Sequence, residues 1–411
     1  MKRALFIAYL FPPQGGSGVQ RTVKFLKYLP EFDWQSIVLT GPRPRHATDE
    51  SLARDVPAET PVVRVRGAAL PGHWPWRVRR WITSWLLTVD AQVGWWPFAV
   101  RRGLAIARTH ELAALYSTSA PYTDHLVAWQ IKKKVGVPWV ADFRDPWLEN
   151  FAPRFATRWH RYVCACLEAE IVHTADRVLV VSEPMRKQFL RRYPYVQPDH
   201  FVTLTNGYDQ ADYADVAPVA QDGRRFTLVY TGSLYGKQSG RPLLAAIKRV
   251  LQDGAISRHW FRVLFVGAAG KETARLVQSW KLDDVVEIRG YVPHAQMIGH
   301  QLGADVLLLI IGSGPHSEVV LTSKIFEYLA TGKPILALVP PGAAADLLRE
   351  ARVGHFASPD DPEAISAILV RLSAQWRQGK LVAEPDPKVV TRYDRRELTK
   401  KLVGILHEVC K

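Results

Sequence analysis

Three stretches of this 411-residue chain combine glycine, hydroxyl and charged side chains at spacings suited to holding an anion. The first runs Phe11-Pro-Pro-Gln-Gly15-Gly16-Ser-Gly18-Val-Gln-Arg21, between an apolar run and a helical pattern. Glycines there let the backbone approach a ligand, and the helix start offers N–H groups to negative charge. The second, Tyr230-Thr-Gly232-Ser233-Leu234-Tyr-Gly-Lys237, sets a Gly-Ser turn and a lysine just ahead of a helix. That is a phosphate-binding arrangement, although Lys237 alone reads equally well as a solvated loop residue. The third runs from Ser313 to Leu336: a polar loop carrying Glu318, then a helix capped by Thr322 or Ser323, with Lys324 and Glu327 in its first two turns. Ile325, Tyr328 and Leu329 can face a core while Glu327 stays on the ligand side, able to accept hydrogen bonds from a ribose diol. A lone glutamate would otherwise be a surface carboxylate.

The nearest familiar signatures fail. Gly16-Ser-Gly18 is followed by Arg21 where a dinucleotide fingerprint needs its third glycine, and the second strand ends at Leu39-Thr40-Gly41 without a ribose-binding acid. The Lys237 loop lacks the G-x-x-x-x-G-K-[ST] spacing of a P-loop.

Elements that could position these loops alternate along the whole chain. Short apolar runs at 4–9, 36–39, 62–65, 114–117, 139–141 and 178–181 read as strands, then again at 227–230, 262–266, 285–288, 306–311 and 335–338. Amphipathic stretches such as 19–29, 122–135, 159–173, 243–251 and 323–330 lie between them. Continuous apolar strands separated by helices mean parallel sheets covered on both faces. A break without periodicity at 206–225 divides the chain almost equally. The expected fold is therefore α/β: two Rossmann-like doubly wound domains, 1–205 and 226–390, facing across a cleft. A linker at 206–225 joins them, and a last helix, 391–411, crosses back towards the first. Ligands in such sheets sit beyond the carboxyl ends of the strands.

Composition narrows the class. At 47% hydrophobic and 23% charged the chain is an ordinary folded protein, which excludes disorder and collagen-like repetition. No apolar run approaches the ~18 residues of a spanning helix. The N-terminal Ala4-Leu5-Phe6-Ile7-Ala8 reads as a first strand rather than a secretory signal. Three cysteines without a C-x-x-C pair fit a reducing cytosol and argue against zinc. Net charge is +15, and residues 1–200 hold 28 basic against 17 acidic side chains together with eleven of the fourteen tryptophans. A basic, Trp-rich half suggests an anionic, partly apolar partner such as a membrane surface. The bland alternative is arginines decorating helices and tryptophans filling a core. Nucleic acid is disfavoured, because the basic residues are scattered and no recognition motif is present.

Taken in order, the Phe-Pro-Pro…Gly-Gly loop, Val181-Ser-Glu183, Asn206-Gly-Tyr-Asp209, Tyr230-Thr-Gly-Ser-Leu, Phe265-Val-Gly267, Arg289-Gly290-Tyr291-Val292 and Lys324-Ile-Phe-Glu327-Tyr-Leu-Ala-Thr-Gly-Lys-Pro-Ile-Leu closely resemble family 4 glycosyltransferases. The resemblance covers nearly the whole chain and implies the GT-B fold and a retaining, metal-independent sugar transfer from a nucleoside diphosphate sugar, UDP being the family's majority donor. It matches Glu327 to the second acid of the E-x7-E motif, which binds the nucleotide ribose. Thr322, Ser323 and Lys324 match the loop and helix start that hold the diphosphate, with Ser233 and Lys237 opposite. Gly290 and Tyr291 fall where the nucleobase packs, and Gly15 and Gly16 in the loop that closes on donor and acceptor. No cofactor beyond the donor substrate is implied, and the lack of any D-x-D agrees with metal independence.

Two departures stand out. Position 319, where the first acid of E-x7-E belongs, is Val; Glu318 sits one residue early and a loop adjustment could bring it to the sugar, or backbone amides could serve instead. After the strand ending near 141, where many relatives carry His-Asp, this chain has Asp142-Phe-Arg144-Asp145. A guanidinium cannot act as a general base, so proton transfer falls to Asp142, Asp145 or the donor phosphate, with Asp145 favoured. A purely structural Asp142–Arg144 ion pair is the alternative. The departures also raise a rival class, a transferase-like binding protein with a degraded site.

The acceptor side is read from His73-Trp-Pro-Trp76-Arg77-Val-Arg79-Arg80-Trp81-Ile-Thr-Ser-Trp85-Leu-Leu-Thr-Val89. Trp81 and Trp85 share a helical face and the arginines cluster at its start, a pattern suited to a membrane interface; a core helix with a basic end is the alternative. The expectation is a peripheral enzyme at the cytoplasmic face, acting on a lipid-linked or other glycan acceptor in polysaccharide biosynthesis.

Overall fold

The computed structural model describes residues 1–44, 49–68, 89–149, 155–220, 223–234 and 239–411. Lys237 and nearly all of the 73–89 segment lie outside them. The chain divides into two units, Met1–Thr205 with Arg395–Lys411, and Asn206–Asp394.

The first unit is built on seven parallel strands: β1 (Lys2–Ile7), β2 (Trp34–Thr40), β3 (Val62–Arg64), β4 (Ala114–Ser119), β5 (Trp139–Phe143), β6 (Arg177–Val180) and β7 (Phe201–Thr203). Their order is β3-β2-β1-β4-β5-β6-β7. Helices α1 (Ser17–Tyr28), α2 (Trp96–Thr109), α3 (Thr123–Val135), α4 (Arg158–Thr174) and α5 (Glu183–Arg192) connect them. Central strands such as β4 are buried along their whole length, as a sheet covered on both faces requires.

The second unit repeats the scheme with β8 (Phe226–Thr231), β9 (Phe261–Val266), β10 (Val286–Arg289), β11 (Val306–Ile310), β12 (Ile335–Leu338) and β13 (Gly354–Ala357), ordered β10-β9-β8-β11-β12-β13 and parallel throughout. Its helices are α6 (Arg241–Gln252), α7 (Lys271–Ser279), α8 (His294–Leu302), α9 (Ser323–Thr331), α10 (Ala343–Glu350), α11 (Pro362–Arg377) and α12 (Pro387–Thr391). Leu228 and Tyr230 pack on one face of β8 and Val229 on the other, each within its own apolar cluster, as period-two alternation dictates.

Segment 206–225 is not a free linker. Tyr208 is buried, Tyr213 donates from its hydroxyl to the Glu327 carbonyl at 3.0 Å, and the Val219 amide donates to the Gly299 carbonyl at 2.8 Å, all inside the second unit. Its polar, aperiodic composition concealed these anchors. The last helix, α13 (Arg395–Val409), belongs to the first unit, where Leu398, Leu402 and Leu406 enter the core beside α1 and β1. Among the described residues no helix is long and apolar enough to cross a membrane.

Helix starts differ in a way that bears on function. Ser182, Thr157 and Asp361 cap α5, α4 and α11 through side-chain oxygens. By contrast α1, α6 and α9 begin at Gly16, Gly240 and Thr322 with no side-chain cap, as do α2, α3, α7, α8 and α10. Those of α1, α6 and α9 are the starts that follow β1, β8 and the loop after β11. The third amide of α1 and of α9 bonds the cap carbonyl, Val19 to Gly16 and Ile325 to Thr322, and the Arg241 amide of α6 bonds Ser239 Oγ. The first two amides of α1 and α9 are therefore the ones without an intrahelical acceptor.

Candidate functional site

In the second unit the chain leaves β8 through Gly232, at φ +99°. A Cβ there would fall 2.4 Å from Cε of Lys324, so the lysine stem lies directly over the glycine. Gly267, after β9, has φ +123°, and a Cβ on it would meet the Gly232 carbonyl oxygen at 2.4 Å. The two loops touch backbone to backbone because neither carries a side chain. Lys324 Nζ donates to the Tyr230 hydroxyl at 2.6 Å and lies 4.4 Å from the centre of that ring. Tyr230 in turn donates to the Ser233 carbonyl at 3.1 Å, which fixes the loop bearing Ser233 and leaves its side chain exposed. Burial pulls the Lys324 ammonium down to about 8, against the opposing field of Glu327. At neutral pH it remains mostly charged, short of water and short of a strong counter-charge.

Glu327 is buried one turn further along α9. Gln301 of α8 donates to its Oε2 at 3.1 Å and, from the same nitrogen, to Thr231 Oγ1 at 3.0 Å. His294 Nε2 lies 3.5 Å from Oε1. Burial raises this carboxyl, but His294, Gln301 and Lys324 together outweigh it and hold the group below the usual range, ionised and oriented. Tyr328 accepts from the Thr231 amide at 3.0 Å and donates to the Leu308 carbonyl at 3.2 Å, tying α9 to β8 and β11. The Oγ1 of Thr322 at the helix start is buried with no partner among the described residues. The open helix start, Ser323, Lys324 and the glycine loop converge as donors beside one fixed carboxylate. Such a set fits a polyanion with a diol beside it.

Other expected residues stand apart from that group. Val319 is buried while Glu318 is exposed, in a short turn whose backbone presses on Gly342; a Cβ at 342 would sit 2.6 Å from the Glu318 Cα. Gly290 has open space around it, and Tyr291 is 78% exposed.

The first unit holds a second cluster at the carboxyl ends of β4 and β5. Asp142 does not pair with Arg144. Its partner is Arg21 of α1, at 2.7 Å from Nε to Oδ2 and 2.9 Å from Nη2 to Oδ1. Tyr116 donates to Oδ2 at 2.5 Å and Thr118 at 3.2 Å, and Arg21 also donates to the carbonyls of Leu204 and Thr205. Asp142 and Arg21 are fully buried. Burial raises the carboxyl, yet Arg21 and Tyr116 more than reverse it and hold Asp142 below the ordinary range. With its lone pairs occupied and no route to solvent, Asp142 is a structural anchor and not the proton acceptor the sequence allowed.

Arg144 instead donates from Nε to the Ser119 carbonyl at 2.5 Å and from Nη2 to the Ala120 carbonyl at 2.7 Å. Asp145 follows it in an exposed position, where the surrounding protein raises its carboxyl against the pull of Arg144. Gly15 packs against Asp49, and Gly16, at φ +117°, opens α1 with no atom near its would-be Cβ.

Sequence reasoning passed over Tyr230, Gln301, His294 and Arg21. Arg21 had a readable signal: a charge on the apolar face of α1 requires a buried acid, and Asp142 is the acid within an apolar strand.

Two family descriptions match this geometry along the chain, "Glycosyl transferase 4-like domain" over residues 16–207 and "Glycosyl transferases group 1" over residues 225–375. The chain belongs to the family 4 glycosyltransferases. Among curated relatives, this glycosyltransferase is 22% identical over 215 residues to the putative colanic acid biosynthesis glycosyltransferase WcaL of Salmonella typhimurium, covering 52% of each chain. It is 24% identical to D-inositol 3-phosphate glycosyltransferase of Kineococcus radiotolerans, covering 44% of this chain and 43% of that one. The match thus spans about half the length of the curated relatives or less. Its GT-B fold is shared with sucrose-phosphate synthase from Thermosynechococcus elongatus (TM-score 0.71, 17% identity, 99% and 98% of the two chains). Anabaena Alr3699/HepE in complex with UDP is similar in fold as well (TM-score 0.68, 15% identity, 99% and 100%).

Proposed function

We propose that this glycosyltransferase moves a sugar, with retention of configuration and without a metal, from a UDP-sugar to a lipid-linked or glycan acceptor in polysaccharide biosynthesis. The observation that carries the reading is the pairing on α9 of a desolvated ammonium, Lys324, with an oriented carboxylate, Glu327. As the glycosidic C–O bond breaks, charge builds on the departing diphosphate. Lys324, the amides at Thr322–Ser323 and the Gly232–Ser233 loop are the groups that would stabilise it, in the role a metal plays elsewhere. Glu327 would accept from the ribose hydroxyls, with Gln301 holding its other oxygen. Asp145 is the proton acceptor we assign to the attacking hydroxyl, since Asp142 is sequestered. Gly290, Tyr291 and Glu318 are assigned to the base and sugar by resemblance.

A role in building surface polysaccharide is supported by the likeness to WcaL, whose name states colanic acid biosynthesis. Contact with an anionic membrane at the cytoplasmic face is supported by α4, where Trp159 and Tyr162, 59% and 68% exposed, each follow an exposed arginine, Arg158 and Arg161. Calorimetric titration with UDP, followed by donor turnover and the anomeric configuration of the product, tests the reading. No UDP binding, or an inverted product, refutes it; binding without turnover leaves the degraded-site rival standing. Full activity in EDTA is expected. Co-sedimentation with anionic vesicles at moderate salt tests the membrane contact.

A further inference from the structure

Tyr230 sits near the carboxyl end of β8 with its ring fully buried in the core of the second unit, 5.6 Å from the ring of Phe265 on β9. That ring cannot swing without displacing close-packed neighbours, so its hydroxyl is a fixed point. Lys324, by contrast, hangs on a flexible four-carbon stem and reaches that point from α9. Its Nζ donates to the Tyr230 hydroxyl at 2.6 Å and stands 4.4 Å from the ring centre. The same nitrogen lies 3.1 Å from where a Cβ on Gly232 would be, directly above the turn. The hydroxyl in turn donates to the Ser233 carbonyl at 3.1 Å. One rigid phenol therefore holds both the ammonium and the turn beneath it.

The chemistry of this partner matters as much as its place. A carboxylate there would grip the ammonium more strongly and cancel its charge. A hydroxyl and a ring face grip it and leave the charge to act on an incoming anion. The carboxylate whose field does reach Lys324 is Glu327, which Gln301 and His294 hold. An ammonium carries three N–H groups, and the phenol takes one. With that N–H and the Cε bond fixed, the remaining two have set directions, suited to oxygens of a phosphoryl group.

Resting on the transferase reading above, we propose that Tyr230 is a positioning residue for the nucleoside diphosphate: it aims Lys324 at the phosphoryl oxygens above the Gly232–Ser233 turn without neutralising it. Tyr230 does not touch the ligand. It acts through Lys324.

A double-mutant cycle separates that role from simple support of the turn through the Ser233 carbonyl. The full chain, Tyr230→Phe, Lys324→Met and the double variant are titrated calorimetrically with UDP and with inorganic pyrophosphate at pH 7. Ligand concentrations are taken high enough to read the weakened variants, and thermal melting confirms that each is folded. Tyr230→Phe keeps the ring under the ammonium and removes only the hydroxyl. It should lower the affinity for both ligands about tenfold where Lys324 is present, and by no more than about twofold where Met replaces it. Equal losses in the two backgrounds would mean that Tyr230 serves the turn alone, and unchanged affinity that it positions nothing; either overturns the proposal. Should Tyr230→Phe not fold, Phe265→Leu, which frees the ring and keeps both polar groups, carries the same contrast. Pyrophosphate binding without UDP binding fails the transferase reading and leaves the cycle readable. Binding of neither ligand to the unaltered chain overturns both.

Discussion

Replacing Lys324 by Met should stabilise the unliganded protein while destroying its hold on UDP. Met keeps an apolar stem over Gly232 and removes the ammonium. The folded lysine releases its proton at about 8, against 10.5 for the ordinary group, a gap equivalent to about 3 kcal/mol of unfavourable desolvation at neutral pH. The lost hydrogen bond to Tyr230 gives back about 1 kcal/mol, leaving a gain of about 2 kcal/mol. For a domain of roughly 150–250 residues that raises the melting temperature by about 4–8 °C. Between pH 8 and 10.5 the unfolded lysine still holds a proton that the folded one has lost. Stability of the unaltered protein therefore rises with pH across that window, and the advantage of the variant vanishes by its upper end. UDP affinity should fall roughly 10- to 150-fold, the worth of a charge-assisted hydrogen bond. In the unaltered protein affinity should weaken about fivefold from pH 8 to 9, and in the variant it should not. Scanning calorimetry at pH 7 and 10 with UDP titration at each pH measures both arms. A variant that melts lower than the parent at pH 7, or that binds UDP as tightly, refutes the reasoning.

The remaining predictions concern neighbouring groups. Arg21→Ala leaves Asp142 charged and unpaired in the core, so urea unfolding should show a loss of about 3–5 kcal/mol; a loss under 1 kcal/mol would contradict the buried pair. The carboxyl of Asp142 is held low in the folded state, so its stabilisation is present above the ordinary carboxylate range and fades as pH falls through the folded value. Acid unfolding of Asp142→Asn should lack that step. Glu327→Gln should weaken UDP binding about tenfold and leave inorganic pyrophosphate unchanged, since the carboxylate is assigned to the ribose; equal losses would put it on the diphosphate. Gly232→Ala combines a positive φ with a contact at 2.4 Å from Lys324 Cε, so it should cost about 1–3 kcal/mol in stability and lower UDP affinity as well. A neutral result in both would contradict the packing of Lys324 over the turn.

The strands legible beforehand are the central ones together with the edges β3 and β10: β4, β9 and β11 lie within a residue or two of their apolar stretches. Those missed, β7 and β13, are three- and four-residue edge strands, Phe201–Thr203 and Gly354–Ala357. Paired on one side only, so short a strand needs little apolar surface and fades into the loops, whereas the edge strands β3 and β10 are marked by the Val-Val pairs at 62–63 and 285–286. The candidate site divides likewise. Lys324 and Glu327 were legible because two residues three positions apart on one helix keep their relation whatever surrounds them. Gln301 and His294 were not, because α8 and α9 meet only in the folded unit.

From its sequence alone this chain disclosed two parallel α/β halves, the glycine turns that follow their strands, and the charged helix start of α9, because each depends on local spacing and chain entropy. Tertiary structure alone decided the charge partners. Asp142 turned to Arg21, 121 residues away along the chain, and not to Arg144, two residues away, which donates to the Ser119 and Ala120 carbonyls instead. Coulomb energy depends on distance and burial, and neither can be read from separation along the backbone.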